Sequence, residues 1–147
     1  MTYGLDSEIR VVDSLGTRVL FVGPEGLCGI STVHGGVLQI AKQSDRLSIQ
    51  NVDTVSARSG NKVKGYLKLY WTVFGKLSKY QLDVVYLQIS QSGFLHQSLV
   101  LLLARIHRKR TVAHFHAQPQ IAATTSRFNF TAIRWSRAYI DQFIVLS

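Results

Sequence analysis

The sequence predicts an α/β fold, a Rossmann-like, doubly wound, mostly parallel sheet. Three observations point to it. Short runs rich in Val, Leu, Ile and Phe alternate with longer segments of helical period. Each stretch between two such runs is long enough to hold a helix, so neighbouring strands are expected to be parallel, with right-handed connections. Clusters of glycine and serine follow the strand ends, where open parallel sheets bind their ligands.

Residues 1–16 carry no clear period and read as an N-terminal extension. Thr17 to Gly23 is a short apolar run that ends in glycine before a Gly-Pro-Glu-Gly turn, which predicts a buried strand. From Gly29 to Lys42 the apolar residues Ile30, Val33, Val37, Leu38 and Ala41 approximate helical spacing. The pair Gly35-Gly36 weakens that helix by roughly 1 kcal/mol per glycine. Leu47 to Val52 alternates with period two, as expected of a strand nearer an edge. Thr54 to Val63 is polar and reads as a loop.

Lys64 to Tyr80 gives the cleanest helical pattern. Lys64, Lys68, Thr72, Lys76 and Lys79 fall on one face. Tyr66, Leu69, Tyr70, Val73, Phe74, Leu77 and Tyr80 fall on the other. Leu82 to Ile89 is a third strand, Phe94 to His107 an apolar helix, and Thr111 to His116 a fourth strand. Arg105, Arg108, Lys109 and Arg110 gather where positive charge suits the helix dipole. After a loop from Ala117 to Ser126, Phe128 to Tyr139 reads as a helix and Gln142 to Leu146 as a fifth strand. No repeat or linker divides residues 17–147, which read as one domain. The last strand ends at Ser147 with nothing to close the sheet, so the sequence is expected to stop early.

With 46% hydrophobic and 17% charged residues, the 147-residue chain has the material for a packed core and lies far from the disordered class. The single cysteine, Cys28, excludes an internal disulfide and a cysteine-based zinc site and suits a reducing compartment. The N-terminus has no signal-peptide core. The longest apolar run, Leu99 to Ala104, is far short of the ~20 residues of a membrane span. A cytoplasmic chain is expected, peripheral at most on the inner face of a membrane. The net charge is +9. Asp83 is the only acid between Asp53 and Asp141, against thirteen basic residues there. Such a field favours phosphate groups, nucleic acid or anionic lipid, or is simply a solvated basic surface.

Four segments carry a resemblance: Cys28-Gly-Ile-Ser31 after the first strand, Asp83-Val-Val85 in the third, His114-Phe-His116 closing the fourth, and Asp141-Gln-Phe-Ile-Val-Leu-Ser147. In this order and spacing they resemble the N-terminal, acceptor-side domain of glycosyltransferase family 4, over roughly residues 17–147. The resemblance implies the N-terminal half of a GT-B fold and a retaining glycosyltransferase. The complete enzyme would move a sugar from a nucleotide-sugar to a glycan or lipid-linked acceptor, as in polysaccharide biosynthesis. The nucleotide-sugar is a substrate, and the family needs no cofactor or metal. Two departures stand out. Cys28 occupies the place of the loop's first glycine. No glutamate follows Glu25, so the paired glutamates of the donor domain are absent, and a missing C-terminal domain or separate subunit is the implied partner.

By the same resemblance His116 is the catalytic candidate, placed to donate a hydrogen bond to a sugar hydroxyl or to stabilise developing charge. The residue alone equally fits a structural strand-end histidine. His114 points to the same side, and no third ligand lies nearby in sequence to make the pair a metal site. Gly26, Gly29 and Ile30 are candidates for the donor phosphate, because N–H groups at a helix start attract anions, although a tight turn also uses glycine. Ser90, Ser92 and Gly93 either line an acceptor pocket or cap the next helix. Lys64, Lys68, Trp71, Lys76 and Lys79 fit either an anionic membrane surface or a solvated face.

Two rival functions come from other classes. One is a stand-alone α/β module binding a nucleotide or phosphorylated ligand. The other is a basic nucleic-acid binder, against which stand the absence of a recognised motif and the placing of the aromatics of Lys64–Tyr80 away from the lysines.

Overall fold

A computed structural model describes residues 16–24, 29–58, 61–89, 94–115 and 134–145. Within them lie strands β1 (Thr17–Gly23), β2 (Leu47–Asp53), β3 (Val84–Ile89), β4 (Arg110–Phe115) and β5 (Gln142–Val145), with helices α1 (Gly29–Lys42), α2 (Lys62–Lys79) and α3 (Phe94–Ile106). The strands form one five-stranded sheet in the order β2-β1-β3-β4-β5, and every neighbouring pair is parallel. The molecule is therefore a Rossmann-like α/β fold.

Alternating strand residues feed two cores, because successive side chains point to opposite faces. On one face Leu20, Val22, Val85, Leu87, Ile89 and Ala113 meet Leu69, Val73 and Leu77 of α2 and Val100, Leu101 and Ala104 of α3. On the other, Val19, Phe21 and Tyr86 meet Leu38 and Ala41 of α1. Helices on both faces make the sheet doubly wound. They also explain the near-continuous burial of β1 and β3, whose two sides are both covered.

Short polar devices set the ends of the elements. Asn61 caps α2: its side-chain oxygen accepts from the N–H groups of Val63 at 3.1 Å and Lys64 at 3.3 Å. The helix thus starts at Lys62, two residues before the point that apolar period alone indicates, and a 3-10 turn (Ser56–Arg58) occupies part of the expected loop. Gly65 lies in the first turn of α2 against the backbone of Ala57, where an added Cβ would collide with the Ala57 carbonyl. At the amino edge of the sheet, Asp83 accepts from the N–H of Arg18 at 2.8 Å and pairs with its guanidinium at 3.6 Å. The Asp141 carboxylate accepts from the buried Thr111 N–H at 2.7 Å, and the Thr111 hydroxyl donates to the Tyr139 carbonyl at 2.6 Å. Both motif aspartates are thus strand clamps, on the edge opposite the one where ligands bind such sheets.

Two expectations change in detail. Lys76 does not belong to a free lysine strip: it is half-buried, and its ammonium donates to Gln50 Oε1 at 2.8 Å, which turns it toward β2. Phe74 and Tyr80 are not buried with the apolar face of α2; both are exposed, because they lie at the margins of its contact with the sheet. The expected helix from Phe128 to Tyr139 is described only from residue 134, as a helical turn followed by a 3-10 turn (Arg137–Tyr139).

Candidate functional site

In a parallel sheet all carboxyl ends share one edge. Here Gly23 of β1 stands beside Asp53 of β2, and Ile89 of β3 beside Phe115 of β4. From β1 the chain passes outward to β2, then crosses back to β3 on the other side of β1. The topological switch point lies between β1 and β3, which is where open α/β sheets form their ligand crevice. The glycine cluster follows β1, the serine cluster follows β3, and His116 is the residue after β4. The strand order thus brings the carboxyl ends of β1, β3 and β4, after which the three segments follow in sequence, to one rim.

Gly29 and Ile30 open α1, whose first N–H groups have no partner within the helix by geometry. Gly26, Cys28, Ser90, Ser92, Gly93 and His116 lie outside the described residues. Beneath the rim the packing is tight. His34 of α1 is fully buried, and a Cβ added at Gly23 would enter its ring, so the glycine at the end of β1 leaves the space that the imidazole occupies. The buried Gln97 side chain donates to the Gln88 carbonyl at 3.0 Å, tying α3 to the end of β3. Sequence reasoning missed His34 and Gln97, since a polar residue inside a helical pattern carries no mark of what lies opposite.

His114 is a structural residue. It is buried within the sheet layer, and a hydrogen bond joins its Nδ1 to the Tyr86 hydroxyl of the neighbouring strand. Burial pushes the Tyr86 hydroxyl up to about 12, so it stays protonated across the physiological range. Tyr70 is raised to about 12 as well, first by burial and then by the neighbouring Tyr66. Among the described residues no group of three His, Cys, Asp or Glu side chains could hold a metal ion.

A cavity of about 240 Å³ opens one strand away from the switch point, beyond β2. Asn51, Asp53, Ser56, Lys68 and Thr72 supply its polar lining. Asp53 is held by the N–H groups of Val55 at 2.8 Å and Ser56 at 3.2 Å. That turn is legible in the Asp-x-x-Ser spacing, yet the cavity is not, because α2 supplies its opposite wall. A second cavity, of about 350 Å³, lies at the amino edge between Arg105, Arg108, Lys109, Arg110 and Asp141. Of the proposed surface residues, Lys64, Lys68, Trp71 and Lys79 are exposed on α2, and Lys76 is not. No helix among the described residues is long and apolar enough to cross a membrane.

No family model matches the chain, and no curated protein matches it. Among solved structures it is similar to the glutaminase domain of Trypanosoma brucei CTPS with bound acivicin, at 21% identity and a TM-score of 0.40. That similarity covers 72% of this chain and 38% of the other, so the chain spans well under half of the structure it matches. At that level nothing about the chemistry of this chain follows from it.

Proposed function

We propose that this chain is the acceptor-side domain of a retaining glycosyltransferase of the GT-B type, similar to family 4. The observation that supports this reading is the strand order β2-β1-β3-β4-β5, with the carboxyl ends of β1, β3 and β4 along one rim. The segments that follow those ends in sequence hold the glycine loop, the serine loop and His116. In this reading the start of α1, with Gly26, Gly29 and Ile30, holds the donor phosphate through backbone N–H groups. Ser90, Ser92 and Gly93 meet the acceptor. His116 donates a hydrogen bond at the reacting sugar and stabilises charge as the bond to the leaving phosphate breaks. A donor domain, on the same polypeptide or a separate subunit, completes the cleft and binds the nucleotide-sugar, and this chain by itself does not turn over.

The test is sugar transfer measured with the chain alone and with a domain that carries the paired glutamates. Transfer is expected only from the combination, and His116→Ala should lower its rate by on the order of a hundredfold or more. A combination whose donor half binds nucleotide-sugar but transfers nothing would contradict the reading. So would a His116→Ala combination as active as the parent.

A second reading is supported by the cavity beyond β2: Lys68, Ser56, Thr72 and Asn51 in its lining suit a small phosphorylated ligand, and the Asp53 carboxylate there already accepts from the N–H groups of Val55 and Ser56. Binding there by the isolated chain, without effect at the β1–β3 rim, would favour a stand-alone binding module.

A further inference from the structure

The outer surface of α2 and α3 departs from that of an ordinary solvated helix layer. Val63, Leu67, Trp71 and Phe74 are 70%, 62%, 76% and 42% exposed. Their spacing of four, four and three residues places them in one stripe along α2. The stripe lies apart from the buried row Leu69, Val73 and Leu77. Trp71 and Phe74 stack on each other, with ring centroids 6.0 Å apart. Alongside, α3 shows Leu99 and Ile106 to solvent, seven residues apart on one face. The two helices are neighbours on the same side of the sheet. Phe74 meets His107, just past the end of α3, edge-on at 5.3 Å, and Tyr66, Tyr70 and Leu103 pack on their shared core.

The charge bordering this apolar surface is mainly positive, with Asp141 beside Arg105 at 3.9 Å the one carboxylate at that end of α3 among the described residues. Lys64, Lys68 and Lys79 are exposed along one margin of the α2 stripe, and a basic run from Arg105 to Arg110 closes α3. Neither helix contains an aspartate or a glutamate.

We infer that the α2–α3 layer docks on an anionic lipid surface. Trp71, Leu67, Val63 and Phe74 enter the headgroup–acyl boundary, and Lys64, Lys68 and Lys79 meet lipid phosphates. The pattern fits an interfacial helix, with an exposed apolar stripe beside a cationic margin and too little length and hydrophobicity to span. A second copy of the chain is disfavoured, since pairing this face with itself sets lysines against lysines. Nucleic acid would satisfy the lysines but leave Val63, Leu67 and Ile106 in water. This inference needs neither a donor domain nor sugar transfer, and it stands or falls separately from them.

The test uses the full 147-residue chain carrying Trp135→Phe, so that Trp71 is the single indole reporter. It is titrated with phosphatidylcholine vesicles, with and without about one-third phosphatidylglycerol. Expected are a blue shift of Trp71 emission and co-flotation with the anionic vesicles, both weakened by high salt. Replacing Lys64, Lys68 and Lys79 together by Gln should weaken binding by on the order of a hundredfold. Leu67→Ser with Trp71→Ser should abolish flotation while the circular dichroism of the fold persists. Equal binding to both vesicle types, no binding to either, or unaltered binding by the serine variant would overturn the inference. So would self-association without lipid that the serine variant removes, which would assign the face to a dimer, or tighter binding to single-stranded nucleic acid than to the anionic vesicles.

Discussion

Single residues divide into those whose role follows from type and position and those whose role depends on what the fold sets opposite them. Asn61 belongs to the first group: an asparagine before a helical pattern caps it, although apolar period alone conceals the cap. His114 belongs to the second. Its place two residues before His116 suggests shared chemistry, yet its ring is held by Tyr86 on the adjacent strand, a contact set by the register of β3 and β4. Lys76 has the spacing of a surface lysine and reaches Gln50 because β2 lies under that flank of α2. The Tyr86 hydroxyl yields a prediction with a definite sign. Its folded pKa of about 12 lies above the ordinary value near 10, so the folded state holds the proton more tightly than the unfolded state. The stability this provides is fully present below about pH 10 and is lost as pH rises toward 12. Urea midpoints measured up that range should fall for the native protein and fall less for Tyr86→Phe. Parallel pH curves for the two would remove the assignment.

Among the elements, strands were the more legible. β1 and β3 are continuous apolar runs because both their faces are covered, and β2 alternates because it lies at the edge. Helix α2 was legible as a helix, while its solvent face was not. Period places Phe74 and Tyr80 with the buried side chains, and only the position of α3 shows that Phe74 lies outside the core. The start of α2 depends on one side chain and one absent side chain. Asn61→Ala removes the acceptor of two orphan N–H groups and should cost about 1 kcal/mol, read as a lowered urea midpoint at unchanged slope. An unchanged midpoint would mean that solvent satisfies those groups equally well. Gly65 has no such substitute, since any side chain meets the Ala57 carbonyl.

At the scale of the whole molecule, the parallel sheet has an amino edge and a carboxyl edge. Asp83 and Asp141 clamp strand starts on the first, while the glycine, serine and histidine segments leave from the second. The alternation of strands and helices in the sequence was enough to predict a parallel sheet, and hence that those segments share an edge. It could not assign strand order, on which the switch point between β1 and β3 depends, nor the cavity beyond β2, whose walls come from residues far apart in the chain. The proposed function rests on the carboxyl edge, so the most direct measurement is a map of backbone amide resonances in the isotope-labelled chain combined with an unlabelled donor domain that carries the paired glutamates. The probes are a nucleoside diphosphate-sugar and a short polyprenyl-phosphate sugar. Sugar transfer at the β1–β3 rim predicts that residues 23–30, 90–93 and 115–117 shift, while Asp83 and Thr111 at the opposite edge stay in place. Shifts confined to the lining of the β2 cavity, or no shift with either ligand, would contradict it.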